Sequence, residues 1–158
     1  MPTFTITRRI DAPTDAVFGV LDDFGAIADW SAGVKRSHLT SDGPVGTGTT
    51  RHCDFAPMGG VNERITHHVA GERMTVHLYE MFKMPASEAT ADFQLAADGD
   101  ATVLTLDVAY TPNRLGRATK KITDKQMRKG MATMADDLAR EAERIVAENG
   151  REASHVSA

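Results

Sequence analysis

The sequence of 158 residues contains a single cysteine, Cys53, so one chain alone cannot form an internal disulfide bond. This composition fits a reducing compartment, and we expect the protein to be cytoplasmic. No apolar run approaches the roughly 20 residues that a membrane-spanning helix needs, and the N-terminal residues lack the apolar block of a signal peptide. Basic residues are not in excess either, since the net charge is −4. We therefore expect neither stable membrane insertion nor nucleic-acid binding.

The sequence also has little that would hold a metal ion or a phosphate group. His52, His68 and His77 are predicted to alternate to the outer face of the strands, where no inward acid or cysteine completes four zinc ligands. The glycine-rich segment 43–48 lacks the lysine and the following helix of a phosphate-binding loop. No relay partner for Cys53 is evident, which argues against a cysteine nucleophile. We expect no metal and no cofactor.

The longest regular pattern is helical and lies near the C-terminal end of the chain, from residue 114 to about residue 149. Its apolar residues recur at intervals of three and four, which predicts a helix with one buried face. The pair Thr123 and Gln126 has the form of a capping box, so the straight part should begin near Asp124, with residues 114–122 as a separate or kinked turn. The apolar face comprises Leu115, Ala118, Ile122, Met127, Met131, Met134, Leu138, Ala142 and Ile145.

Basic residues crowd the beginning of this helical segment, where the helix dipole disfavours cations. One interpretation is a solvated face, as charge runs usually are. The other is a surface that docks on an anionic partner or gates a cavity entrance. The cluster comprises Arg114, Arg117, Lys120, Lys121, Lys125, Arg128 and Lys129.

Before this helix, apolar and polar residues alternate in seven segments, each typical of a half-buried strand. Turn-forming residues such as Asp98-Gly99-Asp100 separate them, and short turns between consecutive strands favour an antiparallel sheet. Two short helices are expected between the first two strands, the second ending near Trp30. The prediction is one α+β domain over residues 1–150 with a flexible tail over 151–158. The predicted strands cover residues 4–10, 34–40, 49–55, 61–69, 74–82, 87–96 and 102–111.

This order of elements, together with particular residues, resembles the START-like or SRPBCC helix-grip superfamily. The superfamily includes polyketide cyclase/dehydrase-like proteins and lipid-transfer domains. The resemblance implies a curved seven-stranded antiparallel sheet wrapped around the long C-terminal helix, with an apolar cavity between them. It does not imply one activity, because the superfamily spans transporters, cyclases, hydratases and co-chaperone activators. The resemblance is carried by Ile10-Asp11-Ala12-Pro13, Val17-Phe18, Asp29-Trp30, Gly46-Thr47-Gly48-Thr49-Thr50-Arg51, Asn62-Glu63-Arg64-Ile65 and the terminal helix.

The alternation along each strand predicts which side chains face such a cavity, because the inner face must carry the apolar residues. A wall of aliphatic, aromatic and methionine side chains with a few polar groups is typical of a site for a lipophilic ligand. The predicted ligand-binding residues are Trp30, Arg51, Cys53, Phe55, Val61, Glu63, Ile65, His67, Val76, Leu78, Phe93, Leu104, Leu106, Tyr110, Met127, Met131 and Met134.

Four of these residues, Arg51, Glu63, His67 and Tyr110, are the candidates for chemistry. If Phe55 lies opposite the first residue of the next strand, Arg51 has Glu63 and His67 as diagonal neighbours. Arg51 could then orient a ligand carbonyl or carboxylate while Glu63 or His67 moves a proton, and Tyr110 could donate a hydrogen bond. The simpler interpretation is a structural ion pair at the cavity mouth.

Three hypotheses about function remain open at this point. The first is a protein that binds a small hydrophobic molecule, lipid-like or aromatic, as its partner. The second is an enzyme resembling a polyketide cyclase/dehydrase that acts on a poly-β-carbonyl chain. The third, a protein-interaction module, has no specific residues to support it. The sequence leaves the oligomeric state, monomer or homodimer, undecided.

Overall fold

The computed structural model describes residues 2–156 and contains seven strands, three α-helices and a short 3₁₀ helix within that range. The predicted α+β architecture is confirmed, including two short helices between the first two strands and a long helix at the C-terminal end. In chain order the elements are β1 Thr3–Ile10, α1 Thr14–Asp22, the 3₁₀ helix Phe24–Asp29, β2 Val34–Leu39, β3 Thr50–Phe55, β4 Gly60–Val69, β5 Arg73–Phe82, β6 Ala86–Asp98, β7 Ala101–Pro112, α2 Arg114–Ala118 and α3 Lys120–Val156.

The strands form a single antiparallel sheet in the order β1-β7-β6-β5-β4-β3-β2. From β2 to β7, consecutive strands are neighbours, joined by connections of two to four residues except for residues 40–49 between β2 and β3. β1 closes on β7 with Thr3 opposite Ala109 and Ile10 opposite Thr102. The tight turn between β6 and β7 has Gly99 in the left-handed region, with φ of 60°, a conformation in which glycine avoids the strain of a side chain. The N-terminal strand thus lies beside the strand that leads into the C-terminal helices.

The register between β3 and β4 differs from the predicted one by two residues. Arg51 lies directly opposite Glu63, and Cys53 lies opposite Val61. The reason is a tighter turn, in which the Phe55 amide donates to the Gly59 carbonyl at 2.9 Å and β4 already begins at Gly60. Because the shift is even, every residue keeps its face of the sheet. The predicted diagonal contact therefore becomes a direct cross-strand pair.

A bulge in β4 corrects the prediction for His67. The pairing with β5 shifts between Ile65 and His67, and one extra residue in a strand reverses the alternation beyond it. His67 is consequently exposed on the outer face. His68 turns inward instead, and its Nε2 lies 2.7 Å from Asp22 Oδ1 on α1. The expectation that His67 lines the cavity, with His68 outside, is wrong on both counts.

The break before the long helix lies at Thr119, so α3 begins at Lys120 rather than near Asp124. The separate turn expected over residues 114–122 exists as α2, which is capped by the Asn113 side chain accepting from the Gly116 amide at 3.0 Å. Thr123 is buried and its hydroxyl lies 3.1 Å from that of Thr119, so no capping box forms. At the other end, the tail predicted over 151–158 is helical as far as Val156, and residues 157 and 158 lie outside the described part.

The core lies between the sheet and the part of α3 from Ala135 onward, which we call its C-terminal half, with residues 120–134 as the N-terminal half. Ala135, Leu138 and Ala142 are fully buried, and in this half α3 packs on α1 and on β1. Their three-and-four spacing forms a narrow stripe of mostly small residues, which allows close approach of the helix. Packing is incomplete between the N-terminal half of α3 and strands β3 to β6, and this is where the cavity lies.

Candidate functional site

A cavity of about 330 Å³ lies between the N-terminal half of α3, the 3₁₀ helix and strands β3 to β6. This volume is at the lower end of the roughly 300–1,000 Å³ typical of small-molecule sites. The wall is mainly apolar, with methionines from both the helix and the strands. Of the side chains predicted to line it, those that do are Trp30, Arg51, Cys53, Phe55, Glu63, Val76, Leu78, Phe93, Met127, Met131 and Met134.

Six predicted residues do not line this cavity. Besides His67 on the outer face, four of them are buried in solid packing: Val61, Ile65, Leu104 and Leu106. Leu104 and Leu106 belong to β7, which lies beyond β6 and next to β1, where the C-terminal half of α3 covers the sheet. The alternation predicts the correct face of the sheet for these four residues. It does not predict whether that part of the face borders the cavity.

Tyr110 is the sixth, and its hydroxyl binds another residue of the chain instead of facing a ligand. The ring is buried in the core, and the hydroxyl donates a hydrogen bond to Asp124 of α3. Tyr110 therefore fastens β7 to the first turns of the helix and lies outside the cavity wall. Two of the four candidates for chemistry, His67 and Tyr110, are thus absent from the cavity, whereas Arg51 and Glu63 are present.

Arg51 and Glu63 form a buried ion pair on the cavity wall. Each is less than 10% exposed, and Arg51 Nε donates to Glu63 Oε2. The guanidinium also donates from Nη1 to the Phe24 carbonyl at 2.8 Å and lies 3.8 Å from the centre of the Phe24 ring. An unpaired charge at such depth would be very costly, so each partner compensates the other. The pair fixes the 3₁₀ helix against β3 and leaves the cavity with no net charge from these two groups.

Cys53 lies beside this pair, with its thiol sulfur 3.6 Å from Glu63 Oε2. Burial, followed by the negative charge of Glu63, raises the pKa of Cys53 to about 12. The thiol is therefore protonated at neutral pH, and the thiolate that a nucleophilic mechanism needs is suppressed. Cys53 acts as an apolar wall residue with a weak hydrogen-bond donor.

The single tryptophan contributes a buried polar atom without a hydrogen-bond partner. Trp30 is half-buried at the end of the 3₁₀ helix and lines the cavity, and its indole Nε1 is buried without a hydrogen-bond partner within the described residues. A buried donor left unpaired costs about 1–3 kcal/mol.

Several wall residues escaped the sequence reasoning because they lie outside regular alternation. In β5, Glu80 adopts a left-handed conformation with φ of 51°, which interrupts the pattern and places Met81 in the cavity wall. The other methionines, Met58 and Met84, come from the connections after β3 and β5, next to Pro57 and Pro85. The alternation places Met74 and Ala91 on the inner face as well, and both line the cavity although they are not among the predicted ligand-binding residues. The remaining unpredicted wall residues are Leu21, Phe24, Ile27, Ser31, Gly33, Val34, Ala56, Gln126 and Gly130.

No group of three or more histidine, cysteine, aspartate or glutamate side chains suited to a metal ion occurs within residues 2–156. His52 of the outer face instead joins a local network, with its ring nitrogens 2.8 Å from Asn62 Oδ1 and 3.0 Å from Asp54 Oδ1. These hydrogen bonds, that of Asn62 first, raise the pKa of His52 above its ordinary value. This network holds neighbouring strands together and lies on the face opposite the cavity.

Comparison with known proteins gives a family and a fold. The family model described as polyketide cyclase/dehydrase and lipid transport matches residues 1–143. The ZhuI aromatase/cyclase from Streptomyces sp. R1128 superposes with a TM-score of 0.75 at 16% identity, over 92% of this chain and 95% of that one. A START superfamily protein from Mycobacterium smegmatis gives 0.74 at 15% identity, over 90% and 98%. At these identities the likeness concerns the fold alone.

A search of the curated proteins yields no match to this chain. Within the described residues, no helix is long and apolar enough to cross a membrane.

Proposed function

Because this chain belongs to the polyketide cyclase/dehydrase and lipid transport family, we propose that its cavity binds a small, uncharged, largely apolar molecule. The observation that carries the proposal is the cavity itself, about 330 Å³ in volume with a wall of aliphatic, aromatic and methionine side chains. Such a wall favours apolar ligands because their transfer out of water is favourable. The flexible methionines adapt to different shapes, so several related ligands can be accommodated.

The charges of the wall favour a ligand without net charge. Arg51 and Glu63 neutralise each other, and a ligand carboxylate would compete with Glu63 for the guanidinium and leave a buried acid without its partner. An uncharged oxygen avoids that cost. The N–H groups of Arg51 not used by Glu63 or Phe24 can donate to it. The ligand that fits best is therefore an apolar body with one or two carbonyl or hydroxyl oxygens.

A second candidate function is that of a cyclase/dehydrase acting on a poly-β-carbonyl chain. It is favoured by the presence of Arg51 and Glu63 in the wall. Arg51 could donate hydrogen bonds to the carbonyl oxygens of the chain, and the Glu63 carboxylate could accept a proton from the carbon between two carbonyl groups. It is weakened because His67 and Tyr110 lie outside the wall. Of the four candidates for chemistry, Glu63 is then left as the only one that could accept a proton. Binding alone requires no such proton transfer and is the function we favour.

The binding proposal can be tested by filling the cavity from the helix side. Gly130 of α3 lines the cavity, and a Cβ added there meets no atom within 4 Å. Gly130→Leu should therefore fold, and gain roughly 0.5–1 kcal/mol from helix propensity, while occupying ligand space. The probe is N-phenyl-1-naphthylamine, a neutral apolar fluorophore, and its binding is followed by energy transfer from Trp30, the only tryptophan.

The matched control is Gly150→Leu, because Gly150 lies on the same helix, also has no atom within 4 Å of an added Cβ, and is not part of the cavity wall. We expect the parent protein and the control to bind the probe, and Gly130→Leu to bind it at least about ten-fold more weakly. Equal binding by all three proteins, or none by the parent, would refute a ligand site in this cavity.

The enzymatic candidate is tested separately with a synthetic β-triketone and mass spectrometry. Loss of water from the triketone, abolished in Glu63→Gln while that variant still binds the fluorophore, would favour the cyclase/dehydrase. Unchanged triketone in the presence of a protein that binds the fluorophore would favour binding alone.

A further inference from the structure

Three segments meet at one end of the sheet, and we place the cavity opening there because the wall residues Met58, Gln126 and Gly130 are exposed to solvent. The turn after β3 contacts the connection after β5, since a Cβ at Gly59 would lie 3.0 Å from the Phe82 carbonyl oxygen. The same connection is fastened to α2, because Asn113 Nδ2 donates to the Met84 carbonyl at 2.8 Å. Met58 and Met84 belong to these segments and line the cavity. We call this end, with the first three turns of α3, the mouth face.

Bulky apolar side chains on the mouth face project into solvent. Its four large apolar residues are each 60–63% exposed, whereas the two other exposed large apolar residues within the described range, Leu39 and Val69, are 40% and 41% exposed. Water is a poor environment for such a cluster, and neighbouring apolar side chains exposed together usually mark a contact site. The four are Met58, Phe82, Leu115 and Ile122.

Basic residues lie along the same segment as Leu115 and Ile122, although one of them, Arg128, lies over the Phe4 ring of β1. The segment 114–129 holds seven of the 18 basic residues and one of the 22 acidic residues, so it carries a charge of +6 in a chain of net charge −4. None of the seven takes part in a salt bridge within residues 2–156, although arginines elsewhere, such as Arg73 and Arg144, do. On α3, Lys125 and Lys129 follow Ile122 at three and seven residues and lie on the same side as Gln126 of the cavity wall.

From this arrangement we infer that the mouth face docks on the surface of an anionic lipid bilayer. Cations attract anionic head groups, and apolar side chains inserted among the acyl chains add a second, short-range contribution. The remainder of the chain has a charge of −10, because it holds 11 basic and 21 acidic residues, so a negative membrane repels it and attracts only this end. A folded acidic partner would need a complementary pocket for each protruding side chain, whereas a fluid bilayer admits all of them.

Docking in this orientation places the cavity opening against the bilayer. If the cavity takes the apolar ligand proposed above, that ligand can pass between membrane and protein without crossing water. This last step depends on the proposed function, but the docking itself depends only on the apolar side chains and cations of the surface.

Sedimentation of the full-length protein with vesicles tests the inference. Vesicles of equal parts phosphatidylcholine and phosphatidylserine should bind the protein, vesicles of phosphatidylcholine alone should bind it much more weakly, and added salt should reduce binding to the former. The charge variant Arg117→Gln/Lys125→Gln/Lys129→Gln should bind about a hundred-fold more weakly, at about five-fold per cation. Its matched control, Arg9→Gln/Arg144→Gln/Arg151→Gln, removes the same charge away from the mouth face and should bind like the parent.

The apolar contribution has its own pair of variants. Phe82→Ser/Leu115→Ser/Ile122→Ser should lose most vesicle binding at high salt, whereas Leu39→Ser/Val69→Ser should not. Absence of binding to the mixed vesicles overturns the inference, as do equal losses in both charge variants or no effect of the apolar variants. Retention on immobilised polyaspartate without vesicle binding would assign the surface to an acidic protein and also overturn it.

Fluorophore binding in solution separates this inference from the proposed function. All four surface variants should bind N-phenyl-1-naphthylamine like the parent and melt near its temperature, since none replaces a cavity-lining residue. Vesicle binding by a protein that takes up no fluorophore would keep the docking surface and refute only the proposed function.

Discussion

The two halves of α3 have the same amphipathic spacing but different surroundings. In the C-terminal half, Leu138 is fully buried against the neighbouring elements, and ion pairs such as Arg144 with Glu141 cover the solvent side. In the N-terminal half, Met131 and Met134 border a cavity, and the cations take part in no salt bridge within residues 2–156, unlike the arginines Arg140 and Arg144 further along the helix. One helix therefore serves as a core element at one end and as a cavity wall at the other. Spacing at three and four residues indicates that one face of the helix points away from solvent. It does not indicate whether that face packs against other side chains or borders a cavity.

The composition of each half explains the difference. Ala135 and Ala142 let the helix approach its neighbours closely, and Leu138 fills the remaining space. Methionine side chains are longer and more flexible, so Met127, Met131 and Met134 bridge part of a wider gap without filling it. The helix is also held at the wider end, where Tyr110 hydrogen-bonds to Asp124. The gap is thus kept open by a fixed distance between the helix and the sheet.

The largest effect is expected from the buried ion pair opposite the N-terminal half. Glu63→Ala leaves the Arg51 guanidinium without its carboxylate and should lower the free energy of unfolding by about 3 kcal/mol, measured by urea denaturation. Glu63→Gln, which keeps an oxygen acceptor, should cost less. The double variant Arg51→Met/Glu63→Met should cost less than the sum of the two single Met variants, because neither charge remains unpaired. Additive costs would show that the two residues are not coupled.

The next effect separates the two halves of the helix directly. Leu138→Ala should cost about 3 kcal/mol, because it creates a void in solid packing. Met131→Ala should cost about 1 kcal/mol, since it enlarges a cavity that already exists and exposes little new apolar surface. Both are measured by urea denaturation of the ligand-free protein. Equal costs at the two positions would contradict the distinction between a packed half and a cavity half.

The smallest effect concerns the exposed ion pairs of the C-terminal half. The hydrogen bond from Arg144 lowers the pKa of the Glu141 carboxyl below its ordinary value. A carboxyl whose pKa is lower in the folded state than in the unfolded state stabilises the fold at pH values above the unfolded-state pKa of about 4.3. This stabilisation is lost as the pH falls through the folded-state pKa. Glu141→Gln should therefore be slightly less stable than the parent at pH 7, and the difference should close below about pH 4. A difference that is constant from pH 7 to pH 3 would show that the pair does not stabilise the fold.

The overall fold could be predicted because its signals are local and repeated. Alternation in seven segments, turn residues such as Asp98-Gly99 and a long helical pattern all indicate the same antiparallel sheet and covering helix. The even register shift between β3 and β4 shows why Arg51 and Glu63 came together despite a wrong register. Parity fixes the face of a residue even where the turn length is misjudged.

The features that could not be predicted depend on single backbone positions. The bulge near His67 and the left-handed Glu80 each reverse the alternation, and no residue type at either place requires the reversal. The place of the helix break was also missed, because the Thr123 and Gln126 pattern resembles a cap while the actual break lies at Thr119. The extent of the cavity depends on distances between elements that only tertiary packing sets.

The contact between α2 and the connection after β5 limits how the opening can change. A side-chain carbon at position 116 would overlap the Pro85 carbonyl oxygen, so only the hydrogen atom of Gly116 fits between the two segments. Larger residues at this position would push α2 outward and widen the opening without altering a single wall residue. The width of the entrance and the shape of the cavity are therefore set by different residues, and selection could adjust which molecules enter independently of which are retained.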